Sequence, residues 1–97
     1  MYARCTTMQG APETVDEAIR YTQEKIVPIG REIPGFQGLL AFVDRDSGKG
    51  MTISLWDSEE ARAESAARAN QVRSEASQAL GGEILAVEEY ELAIEER

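Results

Sequence analysis

A chain of 97 residues, 42% hydrophobic and 29% charged, has the make-up of one globular domain over 1–97, because two cores would each bury too little surface. Its formal charge of −8, from 18 acidic and 10 basic residues without a basic cluster, argues against nucleic acid and against anionic membrane surfaces as partners. The longest apolar runs fall far short of a bilayer span, the N-terminus shows no apolar leader, and a lone cysteine suits a reducing, cytoplasmic setting.

Residues 2–8 read as a first strand, with Tyr2, Thr6 and Thr7 as its strand formers. Gly10-Ala11-Pro12 breaks it. Thr14 and Glu17 have the spacing of a capping box, and behind them Val15, Ala18, Ile19, Thr22, Ile26, Ile29 and Ile33 recur at helical spacing. Pro28 lies inside this pattern and lacks an N–H, so a kink or a loose turn is expected between Lys25 and Ile29. Pro34-Gly35 punctuates, and Phe36 to Asp44 reads as a second strand. Arg45-Asp46-Ser47-Gly48-Lys49-Gly50 is rich in turn residues and closes a hairpin onto a third strand, 51–56.

That strand stops at Trp56, and a helix start follows without a linker. Asp57 and Glu60 have capping-box spacing, each placed to satisfy a backbone N–H of the first turn. The helix is expected to run from Asp57 to about Leu80 and to stop at Gly81-Gly82. Its inward stripe comprises Ala61, Ser65, Arg68 or Ala69, Val72, Ala76 and Leu80. A last strand, Glu83 to about Ile94, alternates imperfectly and carries Tyr90. The order βαββαβ predicts an α+β, ferredoxin-like protomer: a four-stranded antiparallel sheet with two helices on one face. The second strand is apolar at both parities, so neither of its faces should be wet. Two helices cover only one face, and the simplest cover for the other is a second copy of the chain. A homodimer joined sheet to sheet is expected.

With the elements placed, the chain resembles the antibiotic-biosynthesis-monooxygenase-like family. The resemblance rests on Ile33-Pro34-Gly35-Phe36-Gln37-Gly38, on Ile53-Ser54-Leu55-Trp56-Asp57-Ser58-Glu59-Glu60-Ala61, on the double glycine, and on Val87-Glu88-Glu89-Tyr90-Glu91-Leu92. It implies a dimeric α+β barrel, with a small-molecule pocket between the helices and the sheet of each protomer. Members of the family include cofactor-free oxygenases of polycyclic aromatic substrates and haem-degrading oxygenases. The haem branch resembles this chain at Trp56 to Glu60. It then carries a second tryptophan and a histidine, at places that fall here on Ser65 and about Glu75. It also uses an asparagine in the first strand, where this chain reads Tyr2-Ala3-Arg4-Cys5. All three differ, which argues against haem degradation.

The chain contains no histidine, which removes the commonest general base and metal ligand. Cys5 has no base beside it in the sequence and is expected to be a buried, inert thiol. Asp44 to Gly50 begins like a calcium loop, yet Lys49 occupies the glycine place and a third oxygen ligand is missing; a hairpin turn is the better reading. Neither a metal nor a cofactor is expected. Ala61, Ala69, Ala76 and Ala79 are small for an inward helix face, which means either close helix-to-sheet packing or a cavity. For a cavity, the candidate lining is Phe36, Trp56 and Tyr90 as aromatic wall and Arg68, Asn70 and Arg73 as polar handles. Two readings of function stand. One is a dimer that binds a small apolar or aromatic ligand without an evident catalytic motif. The other is a cofactor-independent monooxygenase of a small quinol- or polyketide-like substrate.

Overall fold

The computed structural model describes residues 1–97. Strands β1 (Tyr2–Gln9), β2 (Phe36–Val43), β3 (Lys49–Trp56) and β4 (Glu83–Glu91) form one antiparallel sheet in the order β2-β3-β1-β4. Between β1 and β2 lie α1 (Val15–Tyr21) and α2 (Val27–Glu32), and between β3 and β4 lie α3 (Glu59–Glu64) and α4 (Ala66–Leu80). The helices pack on one face of the sheet, and the fold is the expected ferredoxin-like α+β arrangement.

Local chemistry sets the element ends, in places differently from the spacing. α1 and α2 form one continuous helical run, joined by a π turn over Thr22–Ile26 that stands just ahead of Pro28. Pro28 cannot donate to the carbonyl four residues back and its ring would press on it, so the wider turn absorbs both conflicts. The Thr22 hydroxyl also donates to the Ala18 carbonyl at 2.9 Å, where the π turn begins. Neither capping box forms as spaced. Thr14 spends its hydroxyl on the Ala11 carbonyl at 2.8 Å and caps nothing with its side chain. At the second helix the cap is Ser58, whose Oγ accepts from the Ala61 N–H at 3.0 Å, so α3 starts at Glu59. Asp57 instead donates its N–H to the Gly35 carbonyl at 2.9 Å and ties the helix start to the turn before β2.

The second long helix is broken at Ser65, and α4 ends where Gly81 takes a left-handed conformation at φ 70°. In the hairpin, the Asp44 carboxylate accepts the Asp46 N–H at 3.0 Å and the Ser47 hydroxyl accepts the Lys49 N–H at 3.1 Å. The bond from the Asp46 N–H, with further donation from Ser47, holds the exposed Asp44 carboxyl below its ordinary range. β4 ends at Glu91 instead of Ile94, which is 83% exposed and has no strand partner.

Register assigns each strand residue to a face. Toward the helices stand Val43, Gly50, Met8 and Ile84 in one row, Leu39, Ser54, Arg4 and Glu89 in another, and Phe36, Trp56, Tyr2 and Glu91 in a third. The opposite face carries Phe42, Met51, Thr7 and Ala86, then Leu40, Ile53, Cys5 and Glu88, then Gly38, Leu55, Ala3 and Tyr90. Both faces of β2 are apolar, as its sequence indicates, but within one chain Leu40 and Phe42 are 44% and 55% exposed. Only six of 97 residues are buried, because the second face is uncovered and the helix-side layer is incompletely filled.

Candidate functional site

The space between the helices and the sheet is a cavity of about 180 Å³, and its cause is readable in the helix composition. Ala69 and Ala76 face the sheet from α4 and are too short to reach it; Val72 and Leu80 complete that wall. Ile19, Thr22, Ile26 and Ile33 supply the second wall, and Thr6, Met8, Ala41, Thr52 and Ile84 line the sheet side. Phe36 and Trp56 close one end, with ring centroids 5.6 Å apart and planes at 72°, an edge-to-face pair. A dry apolar cavity of roughly 150 Å³ holds benzene, so this one has room for a single ring with a short substituent.

Beside the aromatic end lies a buried cation. Arg4 is 3% exposed, because its position on β1 has the parity of Thr6 and Met8 and so points under the helices. Its Nη1 donates to Ser65 Oγ at 3.0 Å and its Nη2 to the Arg62 carbonyl at 2.8 Å. Ser65 in turn donates to the same carbonyl at 2.6 Å. Those two bonds divert the Arg62 carbonyl toward side-chain donors at the place where the helix breaks. The guanidinium lies 5.9 Å from the Trp56 ring centroid, within cation–π range, and 3.5 Å from the Glu89 carboxylate. Trp56, 2% exposed, donates its indole N–H to Ser54 Oγ at 3.0 Å.

Glu89 is shared. Its other oxygen is 3.0 Å from Arg62 Nε, close enough to pair electrostatically although that N–H is not aimed at it. Burial pulls the Arg4 guanidinium below its ordinary pKa, Glu89 opposes that, and the group stays charged. Arg73 is lowered as well, first by burial and then by the charge of Arg4, which places the two cations within each other's field.

Of the residues singled out from sequence, Phe36, Trp56 and Arg73 line the cavity. Arg68 is exposed and bonds only Gln71, at 3.4 Å, which settles the inward stripe in favour of Ala69. Asn70 is also exposed, and its Oδ1 accepts from Arg73 at 3.1 Å, so it touches the site through that arginine. Tyr90 lies on the opposite face, 52% exposed, with its hydroxyl donating to Glu88 at 2.9 Å. That bond and the Glu88 charge raise the phenol above its ordinary pKa. The reason for its placement is a bulge: Met8 pairs with Ile84 but Thr7 with Ala86, so Leu85 is an extra residue. Beyond it the parity of β4 inverts, which turns Glu89 toward Arg4 and Tyr90 away. Cys5 is half-buried on that face, and burial followed by Glu88 pushes its thiol up, away from the reactive thiolate.

Arg4, Ser65 and Glu89 were not among the sequence candidates. The available signal was parity, since Arg4 shares the inward register of Thr6 and Met8, and Ser65 lies in the inward helix stripe. The bulge that brings Glu89 to them has no such signal in the strand.

No protein-family model matches the chain. Two curated proteins of Mycobacterium tuberculosis, both uncharacterized, are similar in sequence. Rv2558 is 34% identical over 94 residues, which span 97% of this chain and 39% of that protein. Rv2557 is 33% identical over 93 residues, spanning 96% of this chain and 41% of that protein. The chain thus covers about two fifths of the length of the curated relatives it matches. Among solved structures, a putative antibiotic biosynthesis monooxygenase from Deinococcus radiodurans superposes with TM-score 0.71 at 19% identity, covering 100% of this chain and 97% of its own. The ActVA-Orf6 monooxygenase of Streptomyces coelicolor, in complex with nanaomycin D, superposes with TM-score 0.68 at 18% identity, covering 99% and 92%. SnoaB, a cofactor-independent oxygenase from Streptomyces nogalater, gives TM-score 0.68 at 16% identity, covering 97% and 94%.

Proposed function

From a chain with the fold of the antibiotic biosynthesis monooxygenases, we propose a small-molecule-binding protein whose ligand occupies the helix-to-sheet cavity. The observation that carries this reading is the unfilled space of about 180 Å³ with Phe36 and Trp56 at one end. A protein interior is normally close-packed, and space left open costs stability. The protein works as a homodimer in the cytoplasm, its two bare sheet faces packed together. Leu40, Phe42, Met51 and Tyr90 are each at least 40% exposed on that face in a single chain, which supports the pairing.

Filling the cavity tests the reading. Ala69→Leu adds three carbons to the wall, each worth roughly 0.8 kcal/mol when buried. The melting temperature should rise by a few degrees, while affinity for a neutral single-ring probe such as phenylacetamide falls at least about tenfold, measured by calorimetry. Unchanged affinity together with a raised melting temperature would place the ligand elsewhere.

A second reading, a cofactor-independent oxygenase, is favoured by the shared fold with SnoaB. In it the substrate supplies electrons to oxygen, and the protein orients and dries the substrate between Trp56 and the arginines. Oxygen uptake with small quinols separates the readings: turnover supports the enzyme, and binding without uptake supports the simple binder.

A further inference from the structure

The charges at the cavity do not match those of the molecule. The whole chain carries −8, yet the only charged side chains lining the cavity are Arg4 and Arg73. Arg62 stands just behind them and pairs, as Arg4 does, with a single carboxylate, Glu89, whose charge Arg73 feels without an ion pair. The remaining ion pairs, Arg45 with Asp16 and Arg97 with Glu95, lie elsewhere on the surface. Arg73 has no carboxylate partner of its own. An acidic protein has a ready supply of carboxylates to neutralise such a group, and here none is placed to do so.

The two lining arginines are not equivalent. Arg4 has committed both terminal nitrogens, to Ser65 Oγ and to the Arg62 carbonyl, so its contribution to a ligand is a fixed positive field. Arg73 has committed only one hydrogen of Nη2, to Asn70 Oδ1, so the edge of the guanidinium turned away from Asn70 keeps two parallel N–H groups, the second Nη2 hydrogen among them, without a partner within the protein. It is half-buried, so its fork is partly desolvated before any ligand arrives. An arginine fork of this kind fits a carboxylate with two parallel hydrogen bonds. Next to it lies apolar space for one ring, with Val72 and Ala76 on the same helix and Phe36 and Trp56 beyond.

We infer that the cavity takes a small aromatic carboxylate, its ring in the apolar space and its anionic head on the free fork of Arg73. Arg4 holds the local potential positive, and Asn70 is a positioning residue that fixes the Arg73 side chain. The inference rests on the cavity being the ligand site and adds the charge of the ligand.

Three probes of one shape separate the parts: phenylacetate, neutral phenylacetamide and phenylphosphonate, titrated against the whole chain by calorimetry and by the emission of its only tryptophan, Trp56. Phenylacetate should bind roughly tenfold or more tighter than phenylacetamide, the scale of a charge-assisted hydrogen bond. In Arg73→Gln that ratio should collapse toward one; in Arg73→Lys, which keeps the charge and loses the fork, an intermediate ratio should remain. Equal binding of phenylacetate and phenylacetamide would overturn the anion assignment and leave the cavity reading standing. Tighter binding of phenylphosphonate than of phenylacetate would overturn the carboxylate. Binding of none of the three would overturn the cavity reading and this inference together. A ratio unchanged in Arg73→Gln would remove Arg73 from recognition.

Discussion

Gly35 shows how much a single residue carries in a chain this small. It turns from the end of α2 into β2 at φ 85°, and a Cβ there would overlap the Cβ of Ala61 and stand 2.9 Å from an Asp57 carboxylate oxygen. Its carbonyl also receives the Asp57 N–H, so the turn and the start of α3 share one joint. The left-handed conformation costs a side-chain-bearing residue about 1–2 kcal/mol, and overpacking adds about 1–3 kcal/mol. Gly35→Ala should therefore lower unfolding free energy by about 2–5 kcal/mol in a urea titration, the sum of those costs. A loss below about 0.5 kcal/mol, the usual range of a neutral surface change, would mean that the joint is not rigid. Pro34-Gly35 was legible as punctuation because both residue types act through their own backbones. Arg4 was not legible as a buried group, because an arginine in a strand is solvated by default and its partners arrive from more than fifty residues away. Tyr90 illustrates the same limit from the other side: its distance from Trp56 in the fold was set by one extra residue, Leu85, and alternation alone carries no mark of a bulge.

At the scale of elements, the break at Ser65 divides the second helical run into two parts with different anchors. α3 is pinned to the sheet by Arg62, which pairs with Glu89 and donates to the Tyr90 carbonyl at 3.0 Å. α4 has no ion pair to the sheet and faces it with Ala69, Val72, Ala76 and Leu80 across the cavity. Short side chains over open space give little apolar burial, and segments held this way open first. Amide exchange in the middle of α4, around Ala69–Ala76, should therefore be faster than in the paired strands β1 and β3, and an occupied cavity should slow it. Equal protection in α4 and β1 would show that the two open only together. The boundaries of these elements were largely readable: the glycine stop after Leu80 and the strand end at Trp56 fall where expected. The caps differ from the spacing because the Ser58 hydroxyl takes the first-turn N–H of α3, the Gly35 carbonyl takes the Asp57 N–H, and Thr14 spends its hydroxyl on the Ala11 carbonyl. The π turn was legible only as a disturbance around Pro28, since its extent depends on how Thr22 bonds back to Ala18.

For the whole molecule, the two faces of the sheet differ in what covers them. One closes over an incompletely filled cavity; the other presents Phe42, Met51, Leu40, Ile53, Leu55 and Tyr90 around the half-buried Cys5. The second strand announced this division, because apolar residues at both parities have no other use in a two-layer fold. What the strand could not announce is that the helix side is left partly empty. That depends on how far Ala69 and Ala76 sit from the sheet, which composition does not determine. The bare face also has a consequence in terms of mass action. In the proposed homodimer each chain would draw part of its folding free energy from association, so the melting temperature should be a function of concentration. Between about 1 and 100 µM the midpoint should climb measurably. Phe42→Glu, which places a charge on the bare face at the edge strand β2, should flatten that dependence and yield a monomer by sedimentation. A midpoint independent of concentration in the unaltered protein would mean that each chain carries its whole stability alone.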